Sequence, residues 1–453
     1  MKLLSRRGFL TIAVAPLIAP LAGCDTRRSE VWSTLPGNIL EDLGIFRDQL
    51  VKGDPSFSSP KKAQALALLD ALYSNSSPQT PASLHLALAE IAALAGNGHT
   101  SLLNTNWQIL FNRVPLRFAF FGDRLYVGHA GPRWEPLQGR EVVTINGAPI
   151  ADLERVWSRY QGGEPGWRRE FITHFLESPE MLAAAGIGAD RDALRLELVN
   201  DEDKTELQRI AKGDQPIVLE GIDGLIPEPR LQLLYRLLGR TPPYFLQEPD
   251  LPFRYEPVPE RGYAYLQFRS NTDFSGRQSI ATFVNQTEQH LTGDSPTNLI
   301  VDQRLNFGGD LTTTRQLMKR IPDLVNGKII VLTSGRTFSA GISSTGYLKQ
   351  AGGERVTIIG EPVGDALEFW AEGDLLTLPA IGANFLFARE RHNYRTGCPE
   401  PDCHSQVRLH PISVETLAPD ELVPWTYKNF NAAYDPVLAK ALAIVGVSMT
   451  TPK

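Results

Sequence analysis

At 453 residues, 42% hydrophobic and 21% charged, the chain has an ordinary globular composition and room for two or three domains. Its formal net charge is −6 and charges of both signs are mixed along it with no basic arm, so no nucleic-acid partner is expected. It holds three cysteines, Cys24 near one end and Cys398 and Cys403 close together near the other.

The N-terminus reads as an address. Ser5-Arg6-Arg7-Gly8-Phe9-Leu10 leads into an apolar stretch from Thr11 to Ala22 that is too short for a comfortable membrane span and carries Pro16 and Pro20. Arg6-Arg7 followed by Gly-Phe-Leu is similar to a twin-arginine export signal, and Leu21-Ala22-Gly23-Cys24 resembles a bacterial lipobox, whose cysteine is acylated. An ordinary cleaved signal with a chance cysteine is the alternative. The lipobox resemblance implies residues 1–24 as signal, lipidation at Cys24, and a soluble body anchored to a membrane in the bacterial envelope. Asp25 after the cysteine implies the inner membrane, facing the periplasm. In that oxidising compartment Cys398 and Cys403 are expected to pair as a local disulfide; a zinc site with His404 and His410 is the alternative, although the spacing fits no common zinc motif.

Residues 25–59 are mixed in character and read as a tether. Lys61 to Tyr73 reads as a helix, and Thr80-Pro81 is an N-cap and first-turn pair for a second helix carrying Leu84, Leu88, Ile91 and Leu94 on one face. That helix stops at Gly96-Asn97-Gly98, which puts His99 on a loop that can aim it into a cleft. Leu116 to Phe121 and Arg124 to Val127 read as strands, and Glu141-Val-Val-Thr-Ile145 followed by Asn146-Gly147 reads as a strand and tight turn. Trp167 to about Gly186 looks helical with a break at Pro179, and Leu194 to Asn200 looks like a strand. Pro216 to Pro259 reads as a connector. Beyond it the pattern sharpens into strand and helix in alternation: strands at Tyr263–Arg269 and Asn298–Val301, helices at Ser275–Leu291 and up to Arg320. Buried strands follow at Ile329–Val331 and Arg355–Gly360, with a helix between them to Gln350 and a last helix over Val437–Val445. Such repeats predict an α/β core with a largely parallel sheet.

Within this core, Gly308-Gly309 follows one buried strand, where backbone free of side chains can approach a reacting carbonyl closely. Ser339, flanked by Ala340 and Gly341, follows the next strand and opens a helix, where backbone N–H groups can stabilise an oxyanion. His99 is the histidine that a loop can aim at them.

The phrases Gly96-Asn-Gly-His99-Thr, Leu137 to Gly147, Ile300-Val-Asp302-Gln-Arg304-Leu-Asn306-Phe-Gly308-Gly309, Thr337-Phe-Ser339-Ala, Ile359-Gly360-Glu361-Pro362-Val-Gly364, Pro419-Asp420 and Asp435-Pro436-Val-Leu438 resemble, in order, those of the S41 peptidases, the C-terminal-processing and tricorn-type serine peptidases. The resemblance implies a crotonase/Clp-type catalytic core over residues 260–453, an N-terminal helical region within 25–110, a PDZ-like β segment within 111–160 and an insert or connector over 161–259. The PDZ-like phrase is either a working peptide site or a degenerate scaffold piece. Processing peptidases of the family place a lysine after the Gly-Glu-Pro phrase; here that position reads Gly364-Asp365-Ala366, and Asp365 cannot act as a neutral amine base. The chain is thus more similar to the tricorn-type branch. This implies Ser339 as nucleophile, His99 as general base, an oxyanion hole from Ala340 and a glycine of Gly308-Gly309, and a late glutamate as orienting acid, with Glu368, Glu400 and Glu415 as candidates. The expected partner is a peptide or unfolded protein, with no cofactor and no metal. A non-catalytic peptide- or lipid-binding lipoprotein on the same fold is the rival reading.

Overall fold

The structure is a computed structural model that describes residues 31–74, 78–199, 204–213 and 228–447; the expected signal and Cys24 lie outside them. Among the described residues no helix is long and apolar enough to cross a membrane.

The stretch read as a tether is in part a core element. A helix over Gly37–Phe46 continues into a π-helical turn over Arg47–Val51, and Leu43, Phe46 and Leu50 are fully buried. Their spacing, with Ile39 a turn earlier, is the i, i+4, i+7 stripe of an amphipathic helix, and that outweighs the mixed composition around it. The next helices are Ser59–Tyr73 and Pro81–Ala93. Thr80 caps the latter in a reciprocal box with Ser83, and Pro81 sits in the first turn, where its missing N–H costs nothing.

The strand β1 (Ser101–Leu102) is short. Then β2 (Leu116–Phe121), β3 (Arg124–Ala130), β4 (Glu141–Ile145), β5 (Ala148–Pro149), β6 (Ala193–Val199) and β7 (Thr205–Ala211) form one antiparallel sheet, ordered β2-β3-β4-β6-β7 with β5 on β4. The β4–β5 turn has Asn146 at φ 53° and Gly147 at φ 82°, the positive pair a tight hairpin turn demands. The sheet includes β6 and β7, so it runs well past residue 160. The helical stretch breaks at Pro179, as expected. One helix ends at Leu176, and Pro179 opens the next (Pro179–Ala184) behind the Ser178 cap.

The second sheet is the core that the strand–helix alternation predicts. Its strands are β8 (Phe253–Val258), β9 (Tyr263–Phe268), β10 (Asn298–Asp302), β11 (Ile329–Thr333) and β12 (Val356–Gly360). β9 to β12 are parallel neighbours in sequence order and β8 adds antiparallel at one edge. Alternation along the strands splits the core in two. Leu299, Val301, Ile329 and Val331 face a layer of helices (Ile280–Asp294, Arg315–Leu324, Ala340–Gly352), while Ile300, Ile330 and Leu332 face the helix Pro436–Ile444 and its neighbours. The first of those helices begins at Ile280 rather than Ser275, because Ser279 accepts from Thr282 N–H as its N-cap and Asp273 Oδ1 accepts from Ile280 N–H.

After β12 come β13 (Glu368–Ala371), β14 (Asp374–Leu378), β15 (Ala383–Phe387) and β16 (Glu390–Asn393), with β13 paired to β16 and β14 to β15. β1 pairs with β15, and β17 (Glu421–Leu422) closes the core sheet on β12. Asp42 Oδ2 accepts the Ala380 and Ile381 amides, and Asp54 Oδ2 accepts the Ala388 amide. Those bonds dock the N-terminal helices onto the β14–β15 hairpin and carry the His99 loop to the core.

Candidate active site

β11 ends at Thr333, and three of the next five residues are bound to the loop that follows β10. Ser334 Oγ donates to the Arg304 carbonyl at 2.6 Å, Thr337 Oγ1 to the Gln303 carbonyl at 2.9 Å, and Phe338 N–H to the Asn306 carbonyl at 2.9 Å. Asn306 is the hub. Its Nδ2 donates to Asn271 Oδ1 and Gln303 Oε1, and its Oδ1 accepts Gly308 N–H at 3.1 Å. Ser339 then takes φ 52°, ψ −124° at the N-cap of the Ala340–Gly352 helix. A serine held there costs on the order of 1–3 kcal/mol and persists only because the surrounding bonds over-determine it.

Two glycines permit the close approach. A Cβ on Gly308 (φ 111°) would lie 2.6 Å from Ser339 Cβ, and one on Gly309 (φ 129°) 2.7 Å from the Asn271 backbone. The Gly308 carbonyl accepts from Asn271 N–H at 2.6 Å and Ser270 Oγ at 3.1 Å. In a planar trans peptide the N–H points opposite to the C=O, so the Gly309 N–H is turned away from Asn271. Neither it nor the Ala340 N–H has an acceptor among the described residues. Because the Gly308 N–H is taken by Asn306, the glycine free to donate is Gly309.

His99 arrives from the far end of the chain. Asn97 clamps its loop onto β13: Asn97 Nδ2 donates to the Trp370 carbonyl at 3.0 Å and Trp370 N–H returns to Asn97 Oδ1 at 3.3 Å. The imidazole lies between Phe338 and Phe369, ring centroids 4.3 and 5.3 Å away and nearly parallel, with Trp167 stacked behind Phe338 at 3.7 Å. Its Nδ1 is 3.3 Å from Asp365 Oδ2 but out of line for a hydrogen bond, and neither ring nitrogen has a hydrogen-bond partner. His99 thus stacks on the residue that precedes Ser339, and no hydrogen bond joins the imidazole to Ser339. Burial pulls the imidazole down to about 3, helped by His392 and opposed by Glu372. Burial, then the Glu164 charge, pushes the Asp365 carboxyl well above the usual carboxylate range, against the Ala366 N–H. The imidazole is neutral and holds a lone pair.

None of the three glutamates considered as orienting acid is the group at His99 Nδ1. Glu368 and Glu400 pair with Arg391, and Glu415 is exposed. The carboxylate there is Asp365, in the very phrase searched for a lysine. What sequence reasoning missed is that this position lies against the histidine. Cys398 and Cys403 are joined as a disulfide, so they are not available as the zinc ligands of the alternative reading. A separate cavity of about 680 Å³ runs behind the serine loop, along Gly335, Arg336, Glu361 and Trp425; neither Ser339 nor His99 lines it.

No family model matches the sequence, and no curated protein is similar to it. Solved structures are. A serine-to-alanine mutant of CPAF is 12% identical, covering 91% of this chain and 98% of that one, with a TM-score of 0.57. Mature CPAF complexed with lactacystin is 14% identical over 90% and 97% (TM-score 0.53), and mature CPAF 13% identical over 90% and 96% (TM-score 0.52). At this identity the likeness is one of fold: the described chain folds as CPAF does.

Proposed function

We propose that the chain is a serine-type peptidase acting on peptides or unfolded proteins. Ser339 Oγ attacks the scissile carbonyl; His99 Nε2 takes its proton and passes it to the leaving amine, and water then hydrolyses the acyl-enzyme. Nε2 is the working nitrogen because Nδ1 faces Asp365, which balances the imidazolium as it forms. The Gly309 and Ala340 amides receive the oxyanion. The observation that carries this reading is the pair of acceptor-free amides beside a serine in a strained backbone conformation. The CPAF-like fold supports it, and one of those neighbours is complexed with lactacystin. The missing Ser339–His99 hydrogen bond is read as a resting state, since catalytic hydrogen bonds tighten when substrate binds.

The test is covalent labelling of the purified chain by a serine-reactive phosphonate, read by intact mass. One adduct mapped to Ser339, lost in Ser339→Ala and strongly slowed in His99→Ala, is the expected result. No adduct, together with tight binding of peptide or lipid, sinks the enzyme reading and leaves the binding-protein one. The anchor is a separate part of the proposal: the Leu21-Ala22-Gly23-Cys24 phrase supports a lipoprotein of the bacterial envelope. Metabolic labelling with an alkyne fatty acid should mark the chain and not Cys24→Ala.

A further inference from the structure

Glu372, His392 and His404 bring one carboxylate and two imidazoles together, their ligand atoms all within 4.8 Å of one another. Three separate constraints build the cluster. Glu372 follows the end of β13 and is held at φ 56°, a left-handed conformation that non-glycine residues take rarely. His392 lies on β16 opposite Phe369. His404 is delivered by the disulfide loop: Arg391 N–H donates to the Asp402 carbonyl at 2.9 Å and His404 N–H to the Arg391 carbonyl at 3.0 Å, directly after Cys403.

The histidines are held as ligands are held. His392 is almost wholly buried, its Nδ1 lies 3.1 Å from Tyr394 OH, and that hydroxyl is 2.6 Å from Ser343 Oγ. This leaves Nε2, 3.2 Å from Glu372 Oε1 but without a hydrogen bond. Positive charge must lie between Nε2 and the Glu372 oxygen, supplied either by a proton on the imidazole or by a metal cation. His404 Nε2 is 3.9 Å from Glu390 Oε2, and its Nδ1 is buried without a partner. A second group on the far nitrogen of each imidazole is the usual outer support of a metal-bound histidine. Two histidines and a carboxylate, with Glu372 partly exposed to admit an ion and water, suit a first-row divalent cation, zinc foremost.

The geometry points to a zinc-class divalent-metal site made by Glu372, His392 and His404. It is independent of the peptidase reading, and the candidate base is its near neighbour: His392 stacks on Phe369 at 4.7 Å, whose other face carries His99. Binding requires contraction of the cluster, since zinc–ligand bonds of about 2.0–2.2 Å place donors closer together than they now stand.

The test is calorimetric titration of the full, disulfide-bonded chain with Zn²⁺, together with the visible spectrum of its Co²⁺ form. One ion per chain is expected, with a Co²⁺ band from nitrogen and oxygen ligation. His392→Gln and His404→Gln should each weaken Zn²⁺ binding by more than the roughly 10–100-fold that losing an outer-sphere partner costs, and Tyr394→Phe should fall within that range. His410→Gln should bind as the parent does. His404 is partly exposed, so its variant carries the test if His392→Gln fails to fold. No binding by the parent chain, or undiminished binding in His404→Gln, overturns the site and leaves Glu372 and His392 sharing a proton.

Discussion

Replacing Asp365 with asparagine keeps its shape and removes its charge. Burial lowers the His99 imidazole from 6.5 to about 3, and that gap corresponds to ~5 kcal/mol against forming imidazolium at that place. A carboxylate 3.3 Å from Nδ1 contributes about 5 kcal/mol in the other direction at an effective dielectric of about 20. The two nearly cancel while Asp365 is ionised, and in that state a base that is costly to protonate alone becomes usable. Because burial also raises the Asp365 carboxyl, the two groups ionise as a pair, and ~5 kcal/mol is the upper figure for the loss. Asp365→Asn should thus slow phosphonate labelling of Ser339 by up to roughly a thousand- to ten-thousand-fold. It should also move the pKa of the rate–pH profile downward, which a purely structural role would not do. The assay needs no known substrate: adduct mass is followed against time across pH, with circular dichroism confirming the fold. A labelling rate within tenfold of the parent would refute the electrostatic argument.

Three other outcomes are expected. Gly308→Ala forces a Cβ to 2.6 Å from Ser339 Cβ at φ 111°; displacing the oxyanion loop should cost labelling about 100–1,000-fold, the usual loss for one oxyanion donor, with the chain still folded. Arg304 sits over Phe245 at 3.8 Å and bonds both Asp302 and Asp435, which are fully buried. Arg304→Met strands those carboxylates and should cost about 3–5 kcal/mol in urea unfolding. His85 accepts from Trp107 Nε1 at Nδ1 and lies 3.1 Å from the Ile381 carbonyl at Nε2, and burial lowers it to about 4. Its folded pKa is below the unfolded value, so its contribution is complete above pH 6.5 and is lost as pH falls toward about 4, by ~3 kcal/mol. Unfolding midpoints measured from pH 7 to 4 should fall more steeply for the parent than for His85→Gln.

Much of the fold is legible locally. The β-branched runs at Asn298–Val301 and Ile329–Val331 are buried strands because a sheet covered on both faces excludes polar residues from either side. Thr80-Pro81 and Asn146-Gly147 mark a helix start and a hairpin because their backbone requirements are satisfied within a few residues. Gly308, Gly309, Ser339 and Ala340 are readable for the same reason: each follows a strand end and needs only its own short loop. Those residues announce themselves by short-range chemistry.

The partners of His99 do not. Asp365 reaches it only because Asn97 binds Trp370 across the chain and Asp54 ties the N-terminal helices to Ala388. The family resemblance pointed to a late glutamate instead, and Arg391 claims two of the three candidates. The Gly37–Val51 segment shows the same limit, since its apolar stripe has meaning only once the β14–β15 hairpin is there to cover it. Cys398 and Cys403 sit close enough in sequence to be paired on sight, yet that their loop carries His404 to His392 depends on β16 lying beside it. Backbone conformation follows from neighbours a few residues away, so the sequence alone determines it here. Which buried charge meets which imidazole depends on the packing of segments far apart in the chain, and only the tertiary structure decides that.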